Sequence, residues 1–467
     1  MTSSPPLISN HMPTNQLQAL DAAHHMHPFS DGAEIKAKGA RIITSANGVT
    51  LIDSQGNNIL DAMAGLWCVN IGYGRKELAD ISARQMLQLP YYNTFFQTSH
   101  VPAIALATKL AELTPPNLNK VFFASSGSEA NDTNIRLVRH YWASLGKADK
   151  SIIISRHNAY HGSTIGGASL GGMGAMHKQG GLPIADIAFI DEPNWYEQGG
   201  ELSPEEFGLE RANQLQRKIE ELGEHKIAAF IAEPIQGAGG VIIPPASYWP
   251  QIQKICDAHE ILLIVDEVIC GFGRTGHWFG SNYFQIKPDI ITVAKGLSSG
   301  YAPIGASIIS EEIAQIIYGA GDFNHGYTYS GHPVCAAVAL ENLRIIEEEN
   351  IIGQVHDDTG PYLAAKWGQL ADHPLIGEAK IVGMMASVAL TPDKASRAPF
   401  GAAKGSVGLI CREFCFANNL IMRHVGDRMI ISPPLIISLD EIDLLIDRAL
   451  KSFDQTLAHI KAEGLYI

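Results

Sequence analysis

Six short apolar runs recur between about Arg75 and Leu340, each set off from the next by polar, helix-spaced sequence. They are Val121–Ala124, Ser151–Ser155, Ala188–Ile190, Ile227–Ala232, Ile261–Val268 and Ile290–Ala294. The runs are continuous rather than alternating, which is the pattern of strands buried on both faces. Strands alternating with helices predict an α/β fold with a mostly parallel sheet covered on both sides. Two of the runs carry a charge at or just beyond their ends: Asp266 and Lys295.

The flanking pattern differs. Gly39 to Asp61 reads as a small antiparallel unit: a strand at Arg41–Ser45, a turn at Asn47-Gly48, a strand at Val49–Asp53 and a turn at Gln55-Gly56-Asn57. Gly360 to Ile467 mixes helices with short strands such as Met384–Leu390. The expected division is 1–74 as an N-terminal segment joining the small domain, 75–345 as the large domain and 346–467 as the C-terminal small domain. Met1 to about Thr14 is polar and proline-containing, and is expected to be mobile. No internal repeat of fixed period is present.

Length and composition narrow the function classes. A chain of 467 residues, 46% of them hydrophobic, can bury a large core and exceeds ordinary single-domain size. A net charge of −14 without a compensating basic stretch argues against nucleic acid or anionic lipid as partner. No apolar run approaches the roughly 20 residues needed to cross a bilayer, and no signal-peptide core is evident, so a cytoplasmic protein is expected. The 6 cysteines include no CxxC pair; Cys411 and Cys415 are spaced as helix neighbours without a metal-ligand set, and read as buried thiols.

Two glycine-rich tracts test nucleotide chemistry. Gly166 to Gly181 lacks Walker spacing and its terminal Gly-Lys-Ser/Thr, and is expected to be a mobile loop at a site rim. Gly271-Phe272-Gly273-Arg274-Thr275-Gly276 matches GxGxxG, but aromatic, glycine-broken sequence follows where a crossover helix is required. A dinucleotide site is rejected.

Parallel strands place the groups that follow them at one carboxyl edge, where open α/β sheets bind ligands. A lysine after a strand is by itself most often a solvated loop residue. Lys295, however, ends a buried run beside the Asp266 strand, where partial desolvation favours a neutral amine able to form a Schiff base. Ser125-Ser126-Gly127-Ser128-Glu129 joins a strand to a helix, exposing backbone N–H groups and the positive helix end to an anion such as phosphate. Tyr160, in Arg156-His157-Asn158-Ala159-Tyr160-His161-Gly162, falls at the same edge and could stack on a planar ring.

With these residues in view, the chain from about Phe29 to near its end resembles the class-III, fold-type-I pyridoxal-phosphate aminotransferases. The diagnostic stretches are Val265-Asp266-Glu267-Val268-Ile269-Cys270-Gly271-Phe272-Gly273-Arg274-Thr275-Gly276 and Lys287-Pro288-Asp289-Ile290-Ile291-Thr292-Val293-Ala294-Lys295-Gly296. Within the family it looks most like the (S)-selective ω-transaminases, or amine:pyruvate aminotransferases. That narrower likeness rests on Gly65–Asn70, Tyr92–Phe96, His325–Pro333 and Ile421–Asp427.

The resemblance implies a large domain with a seven-stranded, mostly parallel sheet and a smaller α+β domain built from both termini. Lys295 would form the Schiff base with pyridoxal 5'-phosphate and shuttle a proton. Asp266 would pair with the pyridine nitrogen, making the ring an electron sink. Tyr160 would stack on the ring, Gly127 and Ser128 would hold the phosphate, and Glu233 would support the site. Thr328 would reach the phosphate of a partner subunit, implying a homodimer with shared sites and leaving tetramers open. Ile269 stands where many members carry a glutamine that reaches the cofactor, so that hydrogen bond is lost.

For substrates, the resemblance implies a ping-pong exchange between a primary amine or ω-amino acid and pyruvate, giving alanine. Phe29, Trp67, Phe95, Phe96 and Ile269 would supply apolar walls, and Ala238 would leave room. Arg423 would pair with a carboxylate bidentately and swing out for an uncharged side chain. Alternatives on the same scaffold are a β-alanine, putrescine or 4-aminobutyrate aminotransferase, or a decarboxylating or aminomutase relative. A non-catalytic binding protein would be expected to lack Lys295, and a nicotinamide dehydrogenase would transfer hydride.

Overall fold

In the computed structural model, residues 12–466 are described. Seven strands form one sheet in the spatial order Leu118–Ala124, Gly305–Ser310, Ile290–Val293, Leu262–Asp266, Ile227–Ala232, Ile152–Arg156, Ile187–Ile190. All six apolar runs are strands, and the five from Ile290–Val293 to Ile187–Ile190 pair in parallel. The seventh, Gly305–Ser310, is not signalled by the pattern. It runs antiparallel between the Leu118–Ala124 and Ile290–Val293 strands. Its small polar start conceals it: Ser307 is fully buried and donates to Asn134 Oδ1 at 2.7 Å.

Side chains along each central strand divide between two cores. Leu262 and Ile264 pack with Ile135, Val138 and Trp142 of the helix Gly127–Ser144. Leu263 and Val265 pack on the other face with Leu215 and Ile219 of Pro204–Leu222 and with Ile252 and Ile255 of Tyr248–Ala258. Each such buried side chain contributes about 1.5–3 kcal/mol. Uncovering either face would therefore cost more than the net stability of a typical domain, about 5–15 kcal/mol.

Segments from the N-terminal and C-terminal parts of the described chain pair in a smaller sheet. Ile43–Asn47, Thr50–Asp53 and Asn58–Asp61 form an antiparallel meander, and Leu420–Ile421 adds to its edge in parallel. The first strand begins two residues later than expected, at Ile43 rather than Arg41. A second four-stranded sheet runs Ile376–Val382, Met385–Leu390, Arg428–Ile431, Arg423–Val425, all antiparallel. The helix Leu439–Ala462 opens with a capping box between Ser438 and Glu441.

The Gly166–Gly181 tract corrects an expectation. It is helical over Ile165–Leu170 and Gly174–His177, and Gly167, Ala168, Ser169 and Leu170 are buried. Thr164 starts the first helix by accepting from the Gly167 N–H. After Gly276 the next helix is only Gly280–Phe284, so the GxGxxG match has no crossover helix. All six cysteines are free, with Cys411 and Cys415 buried on the helix Ser406–Ala417. The expected mobile tail falls largely on residues 1–11, outside the described part; Thr14 opens the helix Thr14–His24.

Candidate active site

Strand order places the chemistry. Asp266 ends its strand in register with Thr292, three residues before Lys295, and Glu233 follows the neighbouring strand, whose last residue Ala232 pairs with Val265. The three ionisable groups thus leave adjacent strands at one edge. They line a cavity of about 380 Å³ together with Cys68, Gly127, Ser128, Asn131, Tyr160, His161, Val268 and Ile269.

Lys295 stands in the left-handed region at φ +44°, an uncommon conformation for a residue with a side chain. Its turn is fixed from outside: Asn342 Nδ2 donates to the carbonyls of Gly296 and Leu297, both at 2.9 Å. Burial lowers the pKa of the Lys295 ammonium and Arg423 adds to that, while Asp266, Cys68 and Glu233 oppose it. Burial wins, so the neutral, nucleophilic amine is favoured relative to an ordinary lysine.

Asp266 is held on three sides. Its Oδ2 accepts from His161 Nδ1 at 2.8 Å and from Asn131 Nδ2 at 2.9 Å, and its Oδ1 accepts from the Val268 N–H at 3.1 Å. Asn131 is oriented in turn by Thr292, whose hydroxyl donates to Asn131 Oδ1 at 2.9 Å. Burial raises the Glu233 carboxyl to about 7, with Asp266 reinforcing the shift and His161 and Arg156 opposing it. Neither carboxylate oxygen of Glu233 has a hydrogen-bond partner among the described residues, and His161 Nε2 is likewise buried and unpaired.

At the other side of the cavity, Ser126 caps the 18-residue helix Gly127–Ser144 by accepting from the Glu129 N–H. Ser128 Oγ accepts from the Ser163 N–H at 3.1 Å. A Cβ at Gly127 would lie 2.8 Å from Val268 Cγ2, so any larger residue there requires Val268 to shift. A helix N-terminus suited to an anion, an aromatic ring at Tyr160, apolar side chains at Val268 and Ile269, and a buried carboxylate thus line one cavity with the lysine. This donor set fits a planar, phosphorylated pyridine aldehyde.

Arg423 lies on the edge strand Arg423–Val425, half-buried. Burial lowers its pKa and the Tyr160 phenol opposes that shift. The guanidinium makes no hydrogen bond or ion pair among the described residues. Phe29, 75% exposed, meets the Tyr160 ring edge-on at 6.4 Å between centroids. Trp67 packs in one buried cluster with Ile269, and Ala238 is buried in the turn after Glu233; none of Phe29, Trp67, Ala238 and Arg423 lines the Lys295 cavity.

Phe95 and Phe96 are elsewhere. They line a second opening, of about 1550 Å³, with His325, Gly326 and Ser330, and Phe96 is 91% exposed. Thr328 is exposed nearby, its carbonyl accepting from the Tyr91 hydroxyl at 2.7 Å. None of the three reaches the Lys295 cavity of its own chain. Sequence reasoning assigns no role to His161, Asn131 and Val268, which all touch Asp266 or the cavity. His161 adjoins Tyr160, and that adjacency is its only sequence signal.

Comparisons agree with this geometry. The model of the family "Aminotransferase class-III" matches residues 34–453. A putrescine–pyruvate aminotransferase of Pseudomonas aeruginosa is 57% identical over 449 residues, covering 96% of this chain and 98% of that one. A chloroplastic gamma-aminobutyrate transaminase of Solanum lycopersicum is 40% identical, over 98% of this chain and 89% of its own. Among solved structures, the ω-transaminase of Pseudomonas jessenii in complex with PMP superposes with a TM-score of 0.93 at 40% identity, covering 95% of this chain and 99% of that one. An (S)-enantioselective ω-transaminase of Thermomicrobium roseum gives 0.92 at 39%, with 96% and 99% covered. With the fold, the site and these matches in agreement, the chain belongs to the class-III aminotransferases, enzymes dependent on pyridoxal phosphate.

Proposed function

We propose that this enzyme moves an amino group from a primary amine, a diamine or an ω-amino acid to pyruvate, releasing alanine by a ping-pong cycle. The observation that carries the reading is Arg423, a half-buried guanidinium without an acid partner among the described residues. Such a group meets a carboxylate bidentately, whereas the apolar Ile269 and Val268 suit an uncharged donor. Ile269 also leaves no side-chain amide at its position. The name of the Pseudomonas aeruginosa relative supports pyruvate as acceptor and a diamine as one donor.

The residues would act as follows. Gly127 and Ser128 hold the cofactor phosphate, Tyr160 and Val268 flank its ring, and Asp266 keeps the ring nitrogen protonated. When bound, the cofactor supplies an electron sink for the charge left by deprotonating carbon. Lys295 Nζ takes the proton from the amine-bearing carbon of the donor. It would pass that proton to the cofactor, and in the return half-reaction it would carry one from the cofactor to the carbonyl carbon of pyruvate. Glu233, uncharged in part near neutral pH, limits the negative charge beside Asp266.

Phe95, Phe96 and Thr328 are assigned to the site of a second copy, in a homodimer. No helix among the described residues is long and apolar enough to cross a membrane, and six free thiols suit a reducing cytoplasm. The test is alanine formation from pyruvate with a donor panel of putrescine, benzylamine, β-alanine and 4-aminobutyrate. Turnover of putrescine or benzylamine with pyruvate is expected. Turnover only with 2-oxoglutarate as acceptor would refute the assignment.

A further inference from the structure

Arg423 sits next to a tight turn whose far side is gripped by charges. It pairs with Ile430 across the hairpin, and Val425 pairs with Arg428, with Gly426 and Asp427 at the tip. Asp427 accepts from the backbone N–H groups of Gly405 and Gly408, both at 2.9 Å, at the start of the helix Ser406–Ala417. A side chain at Gly408 would run into the Gly426 carbonyl, so this helix end is seated on the turn.

Arg428 anchors the second strand more widely. Its guanidinium reaches Glu197 at 3.2 Å and Glu378 at 3.0 Å, Ser387 Oγ at 3.2 Å and Asn194 Oδ1 at 3.3 Å. Glu197 belongs to the helix Trp195–Gln198, which follows the Ile187–Ile190 strand of the large sheet, while Glu378 and Ser387 belong to the smaller sheet. One side chain, itself 6% exposed, therefore ties the smaller sheet to the segment that follows the last strand of the large one. The strand it fixes backs the edge strand that carries Arg423.

We propose that Arg428, with Asp427, is a positioning residue for Arg423: the two hold the hairpin outside the Lys295 cavity so that the unpaired guanidinium can reach in and recognise the substrate carboxylate. The arrangement rests on the carboxylate role of Arg423 given above. It separates two functions of the segment. The hairpin backbone is rigid, and only the Arg423 side chain moves between charged and uncharged substrates. Arg428 touches no substrate, so its loss acts on substrates that carry a carboxylate and spares those that do not.

The experiment compares L-alanine with benzylamine as donors to the holoenzyme, in single-turnover and steady-state kinetics. For Arg428→Met the expected result is a fall of about tenfold or more in kcat/KM for L-alanine, carried by KM, with benzylamine changed less than about threefold. Arg428→Lys is expected to recover part of the loss, since it restores the cation but not the fork. Arg423→Ala is the reference. If it is selective for alanine and Arg428→Met lowers both donors equally or neither, the positioning role is overturned while the Arg423 reading stands. If Arg423→Ala is not itself selective, the carboxylate reading falls and the positioning role with it. Should Arg428→Met fail to fold, Asp427→Asn is judged by the same ratio.

Discussion

Glu233 has its carboxyl raised to about 7 from an ordinary 4.5, and the cause is burial beside Asp266 rather than a hydrogen bond. A raised carboxyl binds its proton more tightly in the folded state, so between those two values folding takes up a proton. Its contribution to stability is full below the ordinary value and is lost as pH rises through the folded one. Glu233→Gln is therefore expected to melt at nearly the same temperature as the parent near about pH 5 and above it near about pH 8. Thermal denaturation at the two pH values checks this; an unchanged difference between enzymes would reject the charge account. Lys295 and Asp266 were legible in the sequence because a charge ending an apolar run is itself a signal. His161 and Asn131 were not, because Asn131 meets Asp266 across 135 residues and only the fold brings them together.

At the scale of elements, the strand-to-helix turn at Ser125–Glu129 was legible: small residues with a serine cap predict an exposed helix end. The close approach of Val268 to Gly127 was not, since their preceding strands are separated in the sheet by two others, an order set only by the fold. Gly127→Ala is expected to weaken cofactor binding by about tenfold or more, because the added methyl group must displace Val268 from the cavity wall. Fluorescence titration of cofactor-free enzyme measures the change, and unchanged affinity would contradict the close fit. Two other elements escaped the pattern for opposite reasons. Gly305–Ser310 lacks the apolar run expected of a central strand because Ser307 satisfies its hydroxyl internally on Asn134. The Gly166–Gly181 tract looks like a loop, yet its glycines permit tight packing; a side chain at Gly172 would meet the Arg156 carbonyl.

For the whole molecule, the parallel sheet with helices on both faces followed directly from the spacing of apolar runs. Assembly did not. Phe96, Tyr329 and Val101 are exposed at 91%, 61% and 78%, more apolar surface than scattered positions explain, beside a cleft that the Lys295 site does not use. Phe96→Asp is expected to shift sedimentation from two chains toward one and to reduce activity in parallel. Sedimentation as a single chain in the unaltered enzyme, with full activity, would contradict the shared-site arrangement. Above all, Lys295 carries the proton for amino transfer from an amine to pyruvate. The most direct measurement is the rate of alanine formation from putrescine and pyruvate by Lys295→Ala, after loading with pyridoxal phosphate. A loss of at least about a thousandfold with the fold intact is expected; activity within about tenfold of the parent would contradict the proton-carrier role of Lys295.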